Sequence, residues 1–225
     1  GVNDVFDIKS DALAGKPNTM ALLPKTKQFL LCFLLFLSGF LPVFLCQFSL
    51  LAVALIFLNY LWPTLYSVPP IRFKERGFLG ILLDAAGSQI TPTVLILAVF
   101  AGIHPPKTDL PFLVLSAVIV TWAFVQGLKG ILYHQLSDSE NDQLSGTITW
   151  IRSIDRGRLR SFLPIFNLLV EMPVACILVW FVFPFCPIPS LALAIYIIAE
   201  LLKNRMGFEF ALNQDPENIR LSVPF

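Results

Sequence analysis

Charged residues are scarce in this 225-residue chain, where Asp, Glu, Lys and Arg together make up 14% of the sequence. Soluble domains carry about 25% charged residues, so this composition excludes an ordinary soluble globular protein. Hydrophobic residues reach 56%, and the mean hydropathy is +0.75. We therefore predict an integral membrane protein whose surroundings are a lipid bilayer.

Cysteines are few and show no C-x-x-C spacing; they lie within or at the ends of apolar stretches, at Cys32, Cys46, Cys176 and Cys186. This pattern favours packing residues over a metal or disulfide set. No signal peptide, sequence repeat or low-complexity tract is visible. The net charge of +1 gives no sign of a nucleic-acid partner, and none is predicted.

Apolar stretches dominate what remains, and six of them are long enough, or nearly so, to cross the ~30 Å hydrocarbon core of a bilayer. They are residues 28–46, 48–66, 78–101, 110–134, 161–183 and 188–203, of which the last is short. The polar segments between them are connections rather than modules. The sequence thus predicts an all-α, polytopic bundle of transmembrane helices, in a single domain over 1–225 with a polar C-terminal segment at 204–225.

Basic residues are distributed unequally between the two sides of such a bundle. If the six spans alternate in direction, all but one of the sixteen Lys and Arg residues lie on or next to one side, the exception being Lys107. The positive-inside rule makes the side rich in basic residues cytoplasmic. The long polar segment 135–160 is predicted to be the largest loop on that side.

The chain opens with an acidic pattern, N-D-x-x-D-x-x-x-D, formed by Asn3, Asp4, Asp7 and Asp11. On a helix the three aspartates fall at i, i+3 and i+7 and share one face. Clustered carboxylates repel one another, and a hard divalent cation such as Mg²⁺ offsets that repulsion because it prefers oxygen ligands. We interpret the pattern as a Mg²⁺ site, with an ordinary solvated helix end as the alternative.

A second acidic pattern, D-x-x-x-D, places Asp138 and Asp142 on one helical face just after the fourth span. The pattern alone is common by chance, but it lies on the same predicted side as the first. Two acidic faces on one side of the membrane suit a shared Mg²⁺ cluster, and Mg²⁺ suggests a phosphorylated ligand. For the preceding His134, three roles are considered: a proton relay, a diphosphate contact and a cap for the end of the span.

A proline turn brings two further cations to this side. Arg72 and Lys74 follow Pro69 and Pro70 directly after the second span. Such cations could neutralise the oxygens of a leaving diphosphate. The alternative is topological, because basic residues on the cytoplasmic side need no ligand.

Prolines also predict where spans end or bend. Pro63, Pro69 and Pro70 are expected to end the second span, whereas Pro92, Pro164 and Pro173 are expected to kink later ones. Kinks of this kind shape cavities.

An acidic residue inside an apolar span is costly and normally faces a cavity or a partner. Asp84 lies about one turn inside the third span, followed by Ser88, Gln89, Thr91 and Thr93. We expect it to orient or deprotonate an acceptor; a hydrogen bond between packed helices is the alternative. Glu171 is a weaker acceptor-site candidate.

In their order along the chain, three elements resemble those of the UbiA-type superfamily of membrane prenyltransferases. They are N-D-x-x-D-x-x-x-D at Asn3, Asp4, Asp7 and Asp11, Y-S-x-P-P-x-R-x-K from Tyr66 to Lys74, and D-x-x-x-D at Asp138 and Asp142. The ordered set is specific, although each part alone is not. The resemblance covers the chain up to about residue 203.

This resemblance implies nine transmembrane helices around a cavity, of which about six are complete here, so we expect activity from the complete parent protein. It implies Mg²⁺-dependent transfer of a prenyl group from an isoprenyl diphosphate to an aromatic or lipid-like acceptor. Both aspartate motifs with Asn3 would hold the diphosphate through Mg²⁺, assisted by Arg72 and Lys74. The alternatives are a terpene cyclase of the same fold, and a non-catalytic membrane transporter or binding protein.

Overall fold

The computed structural model describes residues 2–103, 110–154 and 156–206, and within these ranges every regular element is helical. The chain divides into two compact units, residues 1–159 and 160–225. The prediction of a single domain remains a prediction. The α-helices are α1 (Val2–Leu13), α2 (Lys25–Leu45), α3 (Leu50–Ser67), α4 (Phe78–Ala85), α5 (Thr91–Ile103), α6 (Leu110–Ser145), α7 (Arg156–Phe166), α8 (Met172–Val182) and α9 (Pro187–Met206).

Short 3₁₀ and π turns connect or interrupt these helices. The 3₁₀ turns are Thr19–Leu22, Phe73–Glu75 and Trp150–Ser153, and the π turns are Ala86–Ile90 and Asn167–Glu171. Each π turn joins two α-helices, so that α4 continues through its π turn into α5 and α7 continues through its own into α8.

Five helical segments in the described part of the chain are long and apolar enough to cross a membrane. They are Lys25–Leu45, Leu50–Ser67, Phe78–Gly102, Phe112–Ser139 and Ser161–Val182. The sixth predicted span forms the shorter apolar helix Pro187–Leu202. The prediction of an all-helical protein with several potential membrane spans is therefore confirmed, while its nine-helix family architecture stays a prediction.

The predicted loop at 135–160 is wrong over its first part, because α6 continues as a helix to Ser145. The change from apolar to polar residues near position 135 marks where the helix leaves its apolar stretch, and a polar sequence without Gly or Pro can remain helical. Helix α6 ends where Gly146 takes a left-handed backbone conformation with φ +74°. Asp138 and Asp142 therefore lie on a helix, and His134 lies inside it rather than capping its end.

Prolines act differently from one helix to the next. Pro63 does not end the second span as predicted, since α3 includes it and continues to Ser67. Pro92 follows the π turn at Ala86–Ile90, where the kink was expected. The Thr91 hydroxyl donates to the carbonyl of Ala86 at 3.0 Å and accepts from Trp62 Nε1 at 2.8 Å. These bonds satisfy polar groups at the interrupted part of the helix and tie it to α3.

Close packing between α4 and α6 positions the second acidic motif in the first unit. A Cβ atom at Gly127 of α6 would lie 2.9 Å from both the Cα and the carbonyl oxygen of Ala85 in α4. Ile81 and Ala85 of α4 and Ala123 of α6 are buried beside this contact. Gly80 similarly allows α4 to approach the backbone of Phe73, which fixes the proline turn against the helix.

The second unit has a polar centre among its apolar helices. Glu171, at the end of the π turn before α8, is completely buried, and its Oε1 accepts a hydrogen bond from Tyr196 Oη of α9 at 2.6 Å. Met172, Ala175 and Leu178 of α8 are buried as well. Glu171 thus has a hydrogen-bond partner within its own unit, and its role as an acceptor-site residue stays a hypothesis.

Candidate functional site

A polar pocket of about 240 Å³ lies at one end of the first unit. It is found where α3 ends, where the proline turn leads into α4, and where the last turns of α6 extend beyond its apolar part. Helix α1 covers one side of it. The lining residues are Asn3, Asp4, Asp7, Ser10, Asp11, Ala14, Lys16, Tyr66, Lys74, His134, Gln135, Asp138, Asp142, Ser145, Thr147 and Thr149.

The first acidic motif contributes its predicted face to this pocket. Asp4, Asp7 and Asp11 all line it from α1, together with the side chain of Asn3. Asn3 is fixed by a hydrogen bond from the Ser67 hydroxyl to its Oδ1 at 3.0 Å. This bond joins the start of α1 to the end of α3.

Asp7 is buried and is held by both cations of the proline turn. Lys74 Nζ contacts Asp7 Oδ1 closely, and Arg72 Nη2 lies 3.2 Å from the same oxygen. Lys74 is itself buried and lines the pocket, whereas Arg72 reaches the site through Asp7. Two positive charges therefore lie beside the acidic face of α1.

The segment after α1 is anchored by Asn18. Its Nδ2 donates to the carbonyl of Asp4 at 2.8 Å and to Asp11 Oδ2 at 2.7 Å, while its Oδ1 accepts from the backbone N–H of Met20. The backbone N–H of Lys16 donates to the carbonyl of Asp11 at 2.8 Å. These bonds fold the chain back over α1 and direct Lys16 across the pocket.

On α6, the second motif faces the first. Asp138 Oδ1 lies 2.9 Å from Lys16 Nζ, and its Oδ2 lies 3.6 Å from His134 Nε2. Asp142 Oδ2 accepts a hydrogen bond from the Thr149 hydroxyl at 3.1 Å. Burial raises the pKa of the Asp142 carboxyl; the Thr149 hydrogen bond lowers it, the charge of Asp138 raises it, and Lys16 and Lys74 lower it.

Gln135 of α6 and Tyr66 of α3 form the inner wall of the pocket. The Gln135 side chain is 3% exposed, and neither its nitrogen nor its oxygen has a hydrogen-bond partner of normal geometry within the described residues, although the amide lies beside the Tyr66 hydroxyl. A buried amide without partners is costly. Because the amide lines the pocket, its polar atoms are accessible to a molecule that enters it.

Asp84 lies outside the pocket lining, which separates it from the other predicted site residues. It lies near enough to Tyr66 and His134, both of which line the pocket, to interact electrostatically with each. Both interpretations of Asp84, an acceptor-site residue and a hydrogen bond between packed helices, stay hypotheses.

The donor chemistry of the pocket suits Mg²⁺, because its acidic motifs offer carboxylate oxygens and Asn3 an amide oxygen. As the side chains lie, no three His, Cys, Asp or Glu residues in the described ranges are close enough together to hold a metal ion. Three of the aspartates already have side-chain partners: Lys74 contacts Asp7, Asn18 contacts Asp11, and Lys16 contacts Asp138. A bound cation would take oxygens from both motifs only after such partners move.

Several pocket residues carry no signal that spacing alone reveals. Lys16, Asn18 and Thr149 belong to connecting segments, and Gln135 is an ordinary helix residue in sequence. The one usable clue is that Lys16 and Asn18 follow the last aspartate of the first motif by five and seven positions.

Comparison with protein families, with curated proteins and with solved structures finds no match to this chain.

Proposed function

We propose that this protein is a Mg²⁺-dependent prenyltransferase. It would transfer the prenyl group of an isoprenyl diphosphate to an aromatic or lipid-like acceptor and release diphosphate. The observation that supports this most strongly is the pocket itself, in which two acidic motifs and the cations Lys16 and Lys74 share one cavity at the end of an apolar helical unit.

The mixture of charges suits a metal–diphosphate complex. Acidic groups alone would favour a cation, and basic groups alone an anion. Here Asp11, Asp138 and Asp142 line the same 240 Å³ cavity as Lys16 and Lys74, so oxygens for a divalent cation and donors for phosphate oxygens are available together.

Each group has a role in breaking the bond to the leaving diphosphate. Mg²⁺, when bound through Asn3, Asp4, Asp7, Asp11, Asp138 and Asp142, would supply charge stabilisation for the diphosphate. Lys74 and Arg72 add positive charge on the same side, and Asp7 fixes the direction of both side chains.

In the transfer step, the bond between the allylic carbon and the diphosphate oxygen breaks, and its electron pair leaves with the diphosphate. A new bond forms between that carbon and a nucleophilic atom of the acceptor, which then loses a proton. Asp84, which interacts electrostatically with Tyr66 of the pocket, is the group we assign to orienting the acceptor or taking that proton. The apolar helices exclude water from the electron-poor allylic carbon.

The location of the acidic motifs favours this function over a transporter. Transporter ion sites usually lie near the middle of the bilayer, on interrupted helices. Asp138 and Asp142 instead lie in the last turns of α6, beyond most of its apolar stretch.

Binding of a non-reactive thiolo analogue of farnesyl diphosphate tests the proposal. We expect the full-length protein in lipid nanodiscs to bind it in the presence of Mg²⁺ and not in EDTA. The double variant Asp138→Asn, Asp142→Asn is expected to bind at least about ten-fold more weakly, because it removes two charged oxygen ligands. Asp84→Asn is the matched control and should bind the analogue normally. Equal binding with and without Mg²⁺ would contradict the proposal.

A further inference from the structure

We propose that Lys16 is a positioning residue with two alternating partners, Asp138 in the ligand-free site and the diphosphate in the loaded one. This inference rests on the proposed function, because it assigns a role within the same site. Lys16 would oppose the binding of a divalent cation alone and favour the binding of the cation together with diphosphate.

The geometry that carries this inference is a link between the two acidic motifs. The backbone of Lys16 is bonded to Asp11 of the first motif, and its ammonium group lies 2.9 Å from Asp138 of the second. Asn18 holds the intervening segment against α1 through Asp4 and Asp11. Lys16 therefore occupies the space beside Asp138 that a shared cation would need.

Exposure decides which of the two pocket lysines can move. Lys16 and Asp138 have side chains 34% and 24% exposed, and ion pairs at this exposure contribute little, about 0.2–1 kcal/mol or up to about five-fold in an equilibrium constant. Lys74 and Asp7 are each 10% exposed, and separating such a pair is far more costly. Lys74 is thus a fixed charge, and Lys16 is the one that can exchange partners.

A second observation indicates that the pocket is built for a ligand. The Gln135 amide is almost fully buried in the pocket wall, and beside the Tyr66 hydroxyl neither of its polar atoms has a hydrogen bond of normal geometry to the described residues. Because the amide lines the pocket, a molecule that enters the pocket can hydrogen-bond to it. When that molecule brings phosphate oxygens close to α6, the Lys16 ammonium can leave Asp138 without losing an anionic partner, since diphosphate replaces the carboxylate.

The test compares two ligands on the full-length protein in nanodiscs: Mn²⁺ alone, followed by electron paramagnetic resonance, and inorganic diphosphate with saturating Mg²⁺, followed by calorimetry. For Lys16→Gln we expect Mn²⁺ alone to bind about two- to five-fold more tightly, because the competing ammonium is gone. We expect diphosphate to bind about ten-fold more weakly, because a charge-assisted contact is lost. The two shifts have opposite signs, which a general loosening of the site does not produce.

Two further variants serve as controls. Lys16→Arg retains the charge and should preserve both affinities to within about two-fold. Lys9→Gln removes an exposed lysine of the same helical region that does not line the pocket, and should change neither. Thermal unfolding of each variant checks that the fold is intact, and Lys16→Met replaces Lys16→Gln if the latter unfolds early.

The outcomes separate the two proposals. If the unaltered protein binds no diphosphate with Mg²⁺, the proposed function fails and this inference fails with it. Suppose instead that the unaltered protein binds diphosphate, and that Lys16→Gln either shifts both affinities in the same direction or changes neither. The inference is then wrong and the proposed function stands.

Discussion

At the scale of single residues, Asp7 joins stability to function. It is buried and shared by Lys74 and Arg72, so it directs the two cations that we assign to the leaving diphosphate. Removal of one member of a buried ion pair leaves an uncompensated charge.

We therefore expect Asp7→Ala to lower the free energy of unfolding by about 3–5 kcal/mol, because Lys74 remains buried without its partner. Chemical unfolding in detergent micelles measures this. Asp138→Ala is the matched control, since its ion pair is part exposed, and it should cost about 1 kcal/mol or less. The double variant Asp7→Leu, Lys74→Met should recover much of the lost stability. Equal losses for Asp7→Ala and Asp138→Ala would contradict this reading.

Asp142 gives a prediction that depends on pH. Its pKa is raised above an ordinary value of 3.8, chiefly by burial, so the folded protein binds this proton more tightly than the unfolded chain does. Stability contributed by the protonated carboxyl is complete below the unfolded value and is lost as the pH rises through the folded pKa. Asp142→Asn keeps an oxygen for Thr149 but cannot ionise.

Accordingly, Asp142→Asn should become more stable relative to the unaltered protein as the pH rises from 3.5 to 7. Unfolding curves recorded across that range measure the difference, which should be smallest at the acid end. A difference that grows in favour of the unaltered protein at neutral pH would show that the Asp142 carboxylate is stabilised when charged.

At the scale of elements, the contact between α4 and α6 fixes the pocket from behind. Gly127→Ala would place a methyl group 2.9 Å from the backbone of Ala85, and neither backbone can yield without moving a helix. We expect a loss of about 1–3 kcal/mol in unfolding free energy. Gly130→Ala is the matched control one turn away, where a Cβ atom meets nothing within 4 Å. It should leave stability unchanged or slightly raised. Similar behaviour of the two variants would contradict the close packing.

Sequence patterns predict the elements better than their ends. Long apolar runs indicate the spans because a helix is the simplest way to satisfy a backbone in lipid. They do not indicate where α6 ends, because its last turns are polar. The helix continues through these polar residues to Ser145 and ends before Gly146, which has a positive φ. Pro63 was expected to end α3, but a proline within an apolar helix is tolerated when its neighbours satisfy the backbone.

In the site too, local features are predictable from the sequence and contacts between distant segments are not. Spacing predicts that Asp4, Asp7 and Asp11 share a face, because helical periodicity is local. It does not reveal that Asn18 clamps the first motif or that Lys16 reaches Asp138, because those contacts depend on how a connecting segment folds back. The sequence gives no sign of the role of Gln135 either, because the burial of its side chain is visible only in three dimensions.

At the scale of the whole molecule, the orientation predicted from basic residues is open to direct measurement. Helix α2 runs from the pocket end of the first unit to Leu45, just before Cys46, and is long and apolar enough to cross a membrane. We therefore expect the pocket and Cys46 to lie on opposite sides of a bilayer. We expect Cys46 to react with a membrane-impermeant maleimide from the non-cytoplasmic side. A cysteine introduced by Leu144→Cys, at an exposed position of α6 beyond its candidate span, in a background without the other cysteines, should react only from the cytoplasmic side. Labelling in the reverse pattern would overturn the orientation.

The central claim is that this protein moves a prenyl group from a diphosphate to an acceptor, and its most direct test is product formation. Membranes containing the full-length protein are incubated with labelled geranylgeranyl diphosphate, Mg²⁺ and a panel of aromatic and lipid-like acceptors. We expect a labelled prenylated product and released diphosphate, both abolished by EDTA and reduced at least about a hundred-fold in Asp138→Ala, since charge stabilisation of the leaving group is the main catalytic contribution. No product with any acceptor, and diphosphate release that is the same in the unaltered protein, in Asp138→Ala and in membranes without the protein, would contradict it.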